Sequence, residues 1–197
     1  HRRQNDFESN NLFDKNLVYA TRTWIYYKQN KDVVYGISPF AYFSNYKIIQ
    51  KKSDAVAKPT NEYRFTASLE LQHQLAKNFY VVDRTAIEYR AFEGSIENTT
   101  RLRNRLAFRY DFNSNYNVAI GDEILINTTG TDALHIFDQN RIFTNFSYKL
   151  NSALKLDIGY IYISRLPQIN LDLIDDNNFY LNFTYTLNNK ATVMNHN

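Results

Sequence analysis

The strongest constraint on this chain is an alternation of apolar and polar residues with a period of two, repeated about nine times along the sequence. In the clearest stretch Tyr63, Phe65, Ala67, Leu69, Leu71, His73 and Leu75 fall on one face. Glu62, Arg64, Thr66, Ser68, Glu70, Gln72 and Gln74 fall on the other. Leu102, Leu106, Phe108 and Tyr110 alternate in the same way with Arg101, Arg103, Arg105 and Arg109, and Leu154, Leu156, Ile158, Tyr160 and Tyr162 form a further apolar stripe. Successive side chains of a strand point to opposite faces, so each segment reads as a strand with one apolar and one polar side. Strands are expected over 15–29, 33–46, 61–75, 79–92, 100–112, 116–127, 137–150, 153–165 and 178–189, with a partial strand at 1–7. The opening residues His1-Arg2-Arg3 read as the tail of a strand already under way, so the first strand is expected to be truncated. No segment carries a convincing helical period.

The connections alternate too. Short polar turns fall at Asn30-Lys31-Asp32, Ala76-Lys77-Asn78, Asn113-Ser114-Asn115 and Asn151-Ser152, and longer ones at 8–15, 47–60, 93–99, 128–136 and 166–177. The pattern is that of a single up-and-down meander spanning 1–197, with short turns at one end and long loops at the other. Such a sheet curls with its apolar face either inward, as in a soluble barrel, or outward against lipid around a polar lumen. Strands of about 11 to 15 residues suit a tilted membrane crossing, and the short–long alternation suits periplasmic turns and extracellular loops. With 16 Tyr and 14 Phe in the chain, aromatic residues crowd the strand ends, as interfacial girdles do. The fold expected is therefore all-β: an up-and-down antiparallel transmembrane β-barrel of about ten strands, in the bacterial outer membrane and in contact with its lipid.

Composition narrows the chemistry. The absence of cysteine removes disulfides, thiolate metal sites and a thiol nucleophile. The net charge of +3 is spread along the chain without a basic block, which gives nucleic-acid binding little support. No run of 18 apolar residues is available for a transmembrane helix.

The polar face is where a function would lie. Reading register outward from the tight turns, Glu70 falls opposite Arg84 and Arg64 opposite Arg90, with Glu62 and Glu88 diagonal to them. Arg105 falls opposite Glu123, and Glu123 meets Arg141 across the next loop. With Glu88 near Arg103 or Arg105, a row Glu88–Arg105–Glu123–Arg141 crosses four adjacent strands, and Arg101 and Arg109 extend the ladder. Charges crowded into a narrow lumen must pair, so the ladder serves either to close the interior or to line an anion-favouring pore.

Catalytic signals are weak. Of four His, His73 alternates with the apolar face, while His135 has Asp132 and Asp138 close by in a loop. His135 and Asp138 are the one inexpensive candidate pair for hydrolysis, and they come without a recognisable nucleophile spacing. Asp175-Asp176 reads as a solvated loop pair. No Gly-rich phosphate loop, HExxH or EF-hand pattern occurs, so no metal or cofactor is expected.

Several short segments come in a telling order: Ser38-Pro39-Phe40-Ala41-Tyr42-Phe43, Glu88-Tyr89-Arg90, Arg101-Leu102-Arg103-Asn104-Arg105, Asp122-Glu123, Phe137-Asp138-Gln139-Asn140-Arg141 and Gly159-Tyr160. Together they resemble an uncharacterised outer-membrane β-barrel family of Gram-negative bacteria, a domain of unknown function. The resemblance implies an outer-membrane barrel and brings no catalytic residues. Three expectations stand. The first is a small porin-like channel walled by the ladder. The second is a non-conducting structural barrel or accessory subunit, with other outer-membrane proteins as partners. The third, less favoured, is a barrel lipid hydrolase.

Overall fold

A computed structural model describes residues 1–11, 13–94, 97–167 and 172–186. The strands are β1 (Arg2–Gln4), β2 (Lys15–Arg22), β3 (Ile25–Lys28), β4 (Val33–Asn45), β5 (Thr60–Ala76), β6 (Phe79–Phe92), β7 (Thr99–Asp111), β8 (Tyr116–Thr129), β9 (Phe137–Lys149), β10 (Leu154–Arg165) and β11 (Ile174–Tyr185). Two short 3₁₀ turns, Lys52–Val56 and Ala133–His135, lie in the connections. All strands join one antiparallel sheet in the order β1-β2-β4-β5-β6-β7-β8-β9-β10-β11, with β3 also pairing β4. The meander is therefore as the alternation predicts.

The short turns set the register. The side-chain oxygen of Asn113 accepts hydrogen bonds from the backbone of Asn115 and Tyr116 at 2.8 and 3.0 Å. Asn151 does the same for Ala153 and Leu154, at 2.9 Å each. These Asx turns hold the chain reversal without help from the rest of the fold. In the tightest hairpin Asn78 adopts a φ of 63°, a left-handed conformation that Asn tolerates, and the ladder slips by one residue at Leu75.

Four boundaries differ from expectation. The strand expected over 15–29 is broken at Thr23-Trp24, because the facing strand β4 bulges between Ser38 and Ala41. Pro39 sits in that bulge and has no N–H to give to a ladder. The segment expected as a strand over 1–7 pairs only across Arg2–Gln4. The last strand begins at Ile174, not 178, so the Asp175-Asp176 pair lies in the sheet and not in a solvated loop; its expected end at 187–189 falls outside the described residues. Finally, the sheet is an open half-barrel: among the described residues no ladder joins β1 to β11.

Two inward positions carry glycine where neighbouring groups come close. A methyl group on Gly121 would lie 2.3 Å from the Leu106 carbonyl oxygen, and one on Gly159 would lie 2.3 Å from the Tyr180 ring. At these two positions only glycine lets the neighbouring strand and ring come so close. The outcome is an inside-out distribution. Ile120 on the convex face is 54% exposed, while Glu62 and Glu88 on the concave face are 0% exposed. Leu125, Phe143 and Ile163 supply a small apolar filling within the concave side. Aromatic pairs mark both ends of the convex face: Tyr116 stacks on Tyr148 at 4.6 Å near the short turns, and Tyr42 meets Tyr63 at 5.4 Å near the long loops.

Candidate functional site: a charged interior in two halves

Inward-facing positions of β2, β5, β6, β7, β9 and β10 bring most of the chain's arginines into the concave side. In the upper half, toward the long loops, Glu88 is the hub. Its carboxylate binds Arg101, and Arg103, Arg22 and Arg64 approach at 3.4, 3.4 and 3.5 Å. Glu62 binds Arg64 and takes Arg90 at 2.7 Å and the Asn45 amide at 2.7 Å. Glu123 takes Arg103 at 2.7 Å and Arg141 at 3.0 Å, and Asp138 binds the far side of Arg101. A buried carboxylate is costly unless its partners saturate it, and each glutamate here has at least two guanidinium groups. The pairs join β2, β5, β6, β7, β8 and β9 into one belt across the curl.

Above the belt, the upper cavity of about 490 Å³ is lined by eight arginines, among them Arg2, Arg22 and Arg165, and by a single carboxylate, Asp138. The buried glutamates stand behind the guanidinium groups, so the surface offered to a solute is cationic. In the lower half, toward the short turns, a second cavity of about 310 Å³ is lined by Glu70, Arg84, Arg105, Arg109 and Lys155 together with amide, hydroxyl and small side chains.

The backbone register matches the sequence reading: Glu70 lies opposite Arg84, Arg64 opposite Arg90, Arg105 opposite Glu123 and Glu123 opposite Arg141. The ion pairs follow it only in part. Glu88 lies opposite Arg101 and binds Arg101 and Arg103, so the step from Glu88 to Arg105 in the expected row is not made. Arg105 instead sets its guanidinium over the Phe143 ring at 4.0 Å, and Arg109 pairs with Asp111 at 3.0 Å. Glu70 and Arg84 form no ion pair among the described residues; Arg84 donates to the Ser68 hydroxyl at 3.3 Å.

Sequence reasoning missed Arg22, whose alternation is hidden by the break after it, and Asp138, which reads as a companion of His135. Asp138 turns inward to Arg101, while the His135 Nδ1 lies 2.7 Å from Asp132. The three residues therefore do not form one group. Asp176, expected in solvent, binds Arg165. His73 stands exposed on the convex face, as its parity requires.

The convex face has one polar interruption. Asp83, Thr85, Asn104, Asp122 and Asn140 share the parity of the apolar stripes on β6–β9. The Asn104 amide donates to Asp83 at 2.7 Å and to Thr85 at 3.0 Å, and the Asn140 amide donates to both oxygens of Asp122 at 2.8 and 3.0 Å. Period-two counting alone places these residues outside.

Fold and site together define a class: a barrel-like antiparallel all-β protein with a charged interior and an apolar exterior. Within that class the chain belongs to the family described as protein of unknown function (DUF2490), whose model matches residues 1–168. No curated protein and no solved structure matches the chain.

Proposed function

We propose that the protein is a transmembrane β-barrel of the bacterial outer membrane whose interior is a narrow, anion-favouring passage. The observation that carries this reading is the wall of the upper cavity, with eight arginines to one carboxylate. Rings of fixed charge set the sign of the solute admitted, and a low-dielectric wall strengthens their field. The membrane part of the reading rests on the apolar convex face, on strands as long as the 17 residues of β5, and on aromatic pairs at both ends. In a bilayer the edges of β1 and β11, which pair with each other nowhere among the described residues, must be covered, because unpaired backbone groups find no water there.

The test is single-channel recording of the folded protein in a planar bilayer. Discrete steps with a reversal potential set by the anion support the passage. A folded, heat-modifiable barrel that stays silent removes it and turns the belt into a plug.

A second reading, a non-conducting accessory barrel, is favoured by the polar ladder Asp83–Asn104–Asp122–Asn140 on the convex face. Acidic groups at mid-wall are unfavourable against lipid and suit a protein neighbour. Under that reading Asp122→Leu releases a co-purifying partner. Under the first it leaves the barrel at least as stable, because it removes a charge from lipid.

A further inference from the structure

The lower cavity contains a pair of arginines that the fold leaves unbalanced. Arg84 of β6 and Arg105 of β7 are direct cross-strand partners and both line this cavity. Like charges in that position repel. Each has an acid as its other cross-strand neighbour, yet neither uses it among the described residues. Glu123 is taken by Arg103 and Arg141, and Glu70 does not reach Arg84. The two guanidinium groups rest on aromatic rings instead, Arg84 at 4.7 Å from Trp24 and Arg105 at 4.0 Å from Phe143. Lys155, which pairs with Asp157 at 3.0 Å, the Glu70 carboxylate and the polar side chains of Asn117, Asn145 and Ser147 line the same space.

We propose that this cavity is a binding site for a small oxyanion of the phosphate class, held between Arg84 and Arg105. An arginine offers donors only, in a fork that matches two oxygens of such an anion. Two adjacent forks, neither in an ion pair among the described residues, offer donors to several oxygens of one tetrahedral anion. A cavity of about 310 Å³ has room for a tetrahedral oxyanion. The site deepens the reading of the interior as an anion path, and rests on it for the route by which the anion arrives.

Trp24 makes the site observable. It is the one tryptophan of the chain, set at the break between β2 and β3. Arg22 of the upper wall lies 4.3 Å from its ring and Arg84 of the lower wall 4.7 Å. An anion that draws Arg84 off the ring changes the emission.

The experiment titrates inorganic phosphate into the full chain folded in detergent micelles at constant ionic strength. Trp24 emission and heat are followed together, with chloride and succinate as comparison anions. Expected is a saturable phosphate response. Arg84→Gln and Arg105→Gln each weaken it by roughly tenfold, the worth of one lost charge-assisted hydrogen bond or more. Arg3→Gln, which lies outside both cavities, leaves it unchanged, and Trp24→Phe removes the optical signal while the heat remains. Arg105→Lys keeps the charge without the fork and binds between the two, so it serves if Arg105→Gln does not fold.

A phosphate response that is linear and equal to chloride's overturns the site. So does unchanged binding in folded Arg84→Gln and Arg105→Gln, and so does a preference for succinate. Loss in Arg141→Gln alone also overturns it, by moving binding to the upper cavity. Failure here is separable from failure of the passage. A silent bilayer with intact phosphate binding removes the passage and keeps the site. Anion current without saturable binding does the reverse.

Discussion

In the upper half of the interior, Glu88 gathers four arginines and Glu62 and Glu123 two each. In the lower half Glu70 gathers none among the described residues, although the backbone places it directly opposite Arg84. The same strands supply both halves, with the same alternation. What differs is the lean of the side chains. Glu123 lies opposite Arg105 but reaches Arg103, two residues nearer the long loops. Long side chains of a strand lean along it, so pairs form out of register as well as in it: Glu88 binds the facing Arg101, and Glu123 takes the facing Arg141 together with the offset Arg103. The acids of the upper half each take two or more arginines, while at the bottom of the ladder Arg84 and Arg105 have no ion pair among the described residues. The upper half is thus a cross-link between strands, and the lower half a surface with charge to spare.

The contrast is broken most directly at the two glutamates. Glu88→Ala leaves Arg101 and Arg64 buried beside an empty position, a loss of about 3–5 kcal/mol. The expected outcome is a protein without a heat-modifiable folded band, or with a urea midpoint far below that of the parent. A stability close to the parent's would mean that the belt does not hold the curl. Arg105→Ala is the milder counterpart. It orphans no carboxylate and forfeits the contact with Phe143, about 0.5–1 kcal/mol. The barrel stays folded, and the shift of reversal potential toward cations in a salt gradient measures how much of the anion preference Arg105 supplies. Glu70→Gln comes next. It changes stability by less than about 1 kcal/mol, and by taking the one carboxylate from the lower wall it raises anion preference roughly twofold. If Glu70→Gln destabilised as Glu88→Ala does, the two halves would not differ in kind.

Much of this frame is legible in the sequence because turns and parity are local. Asn113 and Asn151 close their reversals from within, so counting outward from them places Arg105 opposite Glu123 and Glu123 opposite Arg141. Parity likewise sorts the arginines to one face. What local reasoning does not reach is anything decided between strands. The break at Thr23-Trp24 follows from Pro39 on the neighbouring strand, and the entry of Asp176 into the sheet follows from its pairing with β10. The choice of Arg103 over Arg105 by Glu123 depends on side-chain lean, which no spacing encodes. The close approaches at Gly121 and Gly159 are likewise decided by the neighbouring strand and ring, not by the local sequence. The polar ladder on the convex face was open to counting: Asn104 and Asp122 have outward parity in plain view, but as isolated residues within apolar stripes they carry little weight until Asn140 and Asp83 are seen beside them.

The comparison extends to the two ends of the molecule, and there pH separates them. The long connection between β4 and β5 is tied by buried Asp54, which accepts the Gln50 and Lys51 backbone N–H groups at 3.2 and 3.1 Å and pairs with Lys47 at 2.6 Å. The hydrogen bond from Lys47 holds this carboxyl below its ordinary value of 3.8. A carboxyl whose value is lowered by folding contributes its full stabilisation above the ordinary value and loses it as pH falls through the lowered one. Asp132, lowered by its hydrogen bond with His135, ties the connection between β8 and β9 in the same sense. The turns at the opposite end are tied by Asn113 and Asn151, which do not titrate. Hydrogen exchange at residues 50–57 should therefore quicken as pH is brought below the ordinary carboxylate value, after correction for the intrinsic rate, while protection at 113–116 and 151–154 holds. Asp54→Asn should show the quickened exchange already at neutral pH and lose its further dependence on acid. Equal loosening of both ends on acidification would place the acid-sensitive link in the belt shared by all the strands.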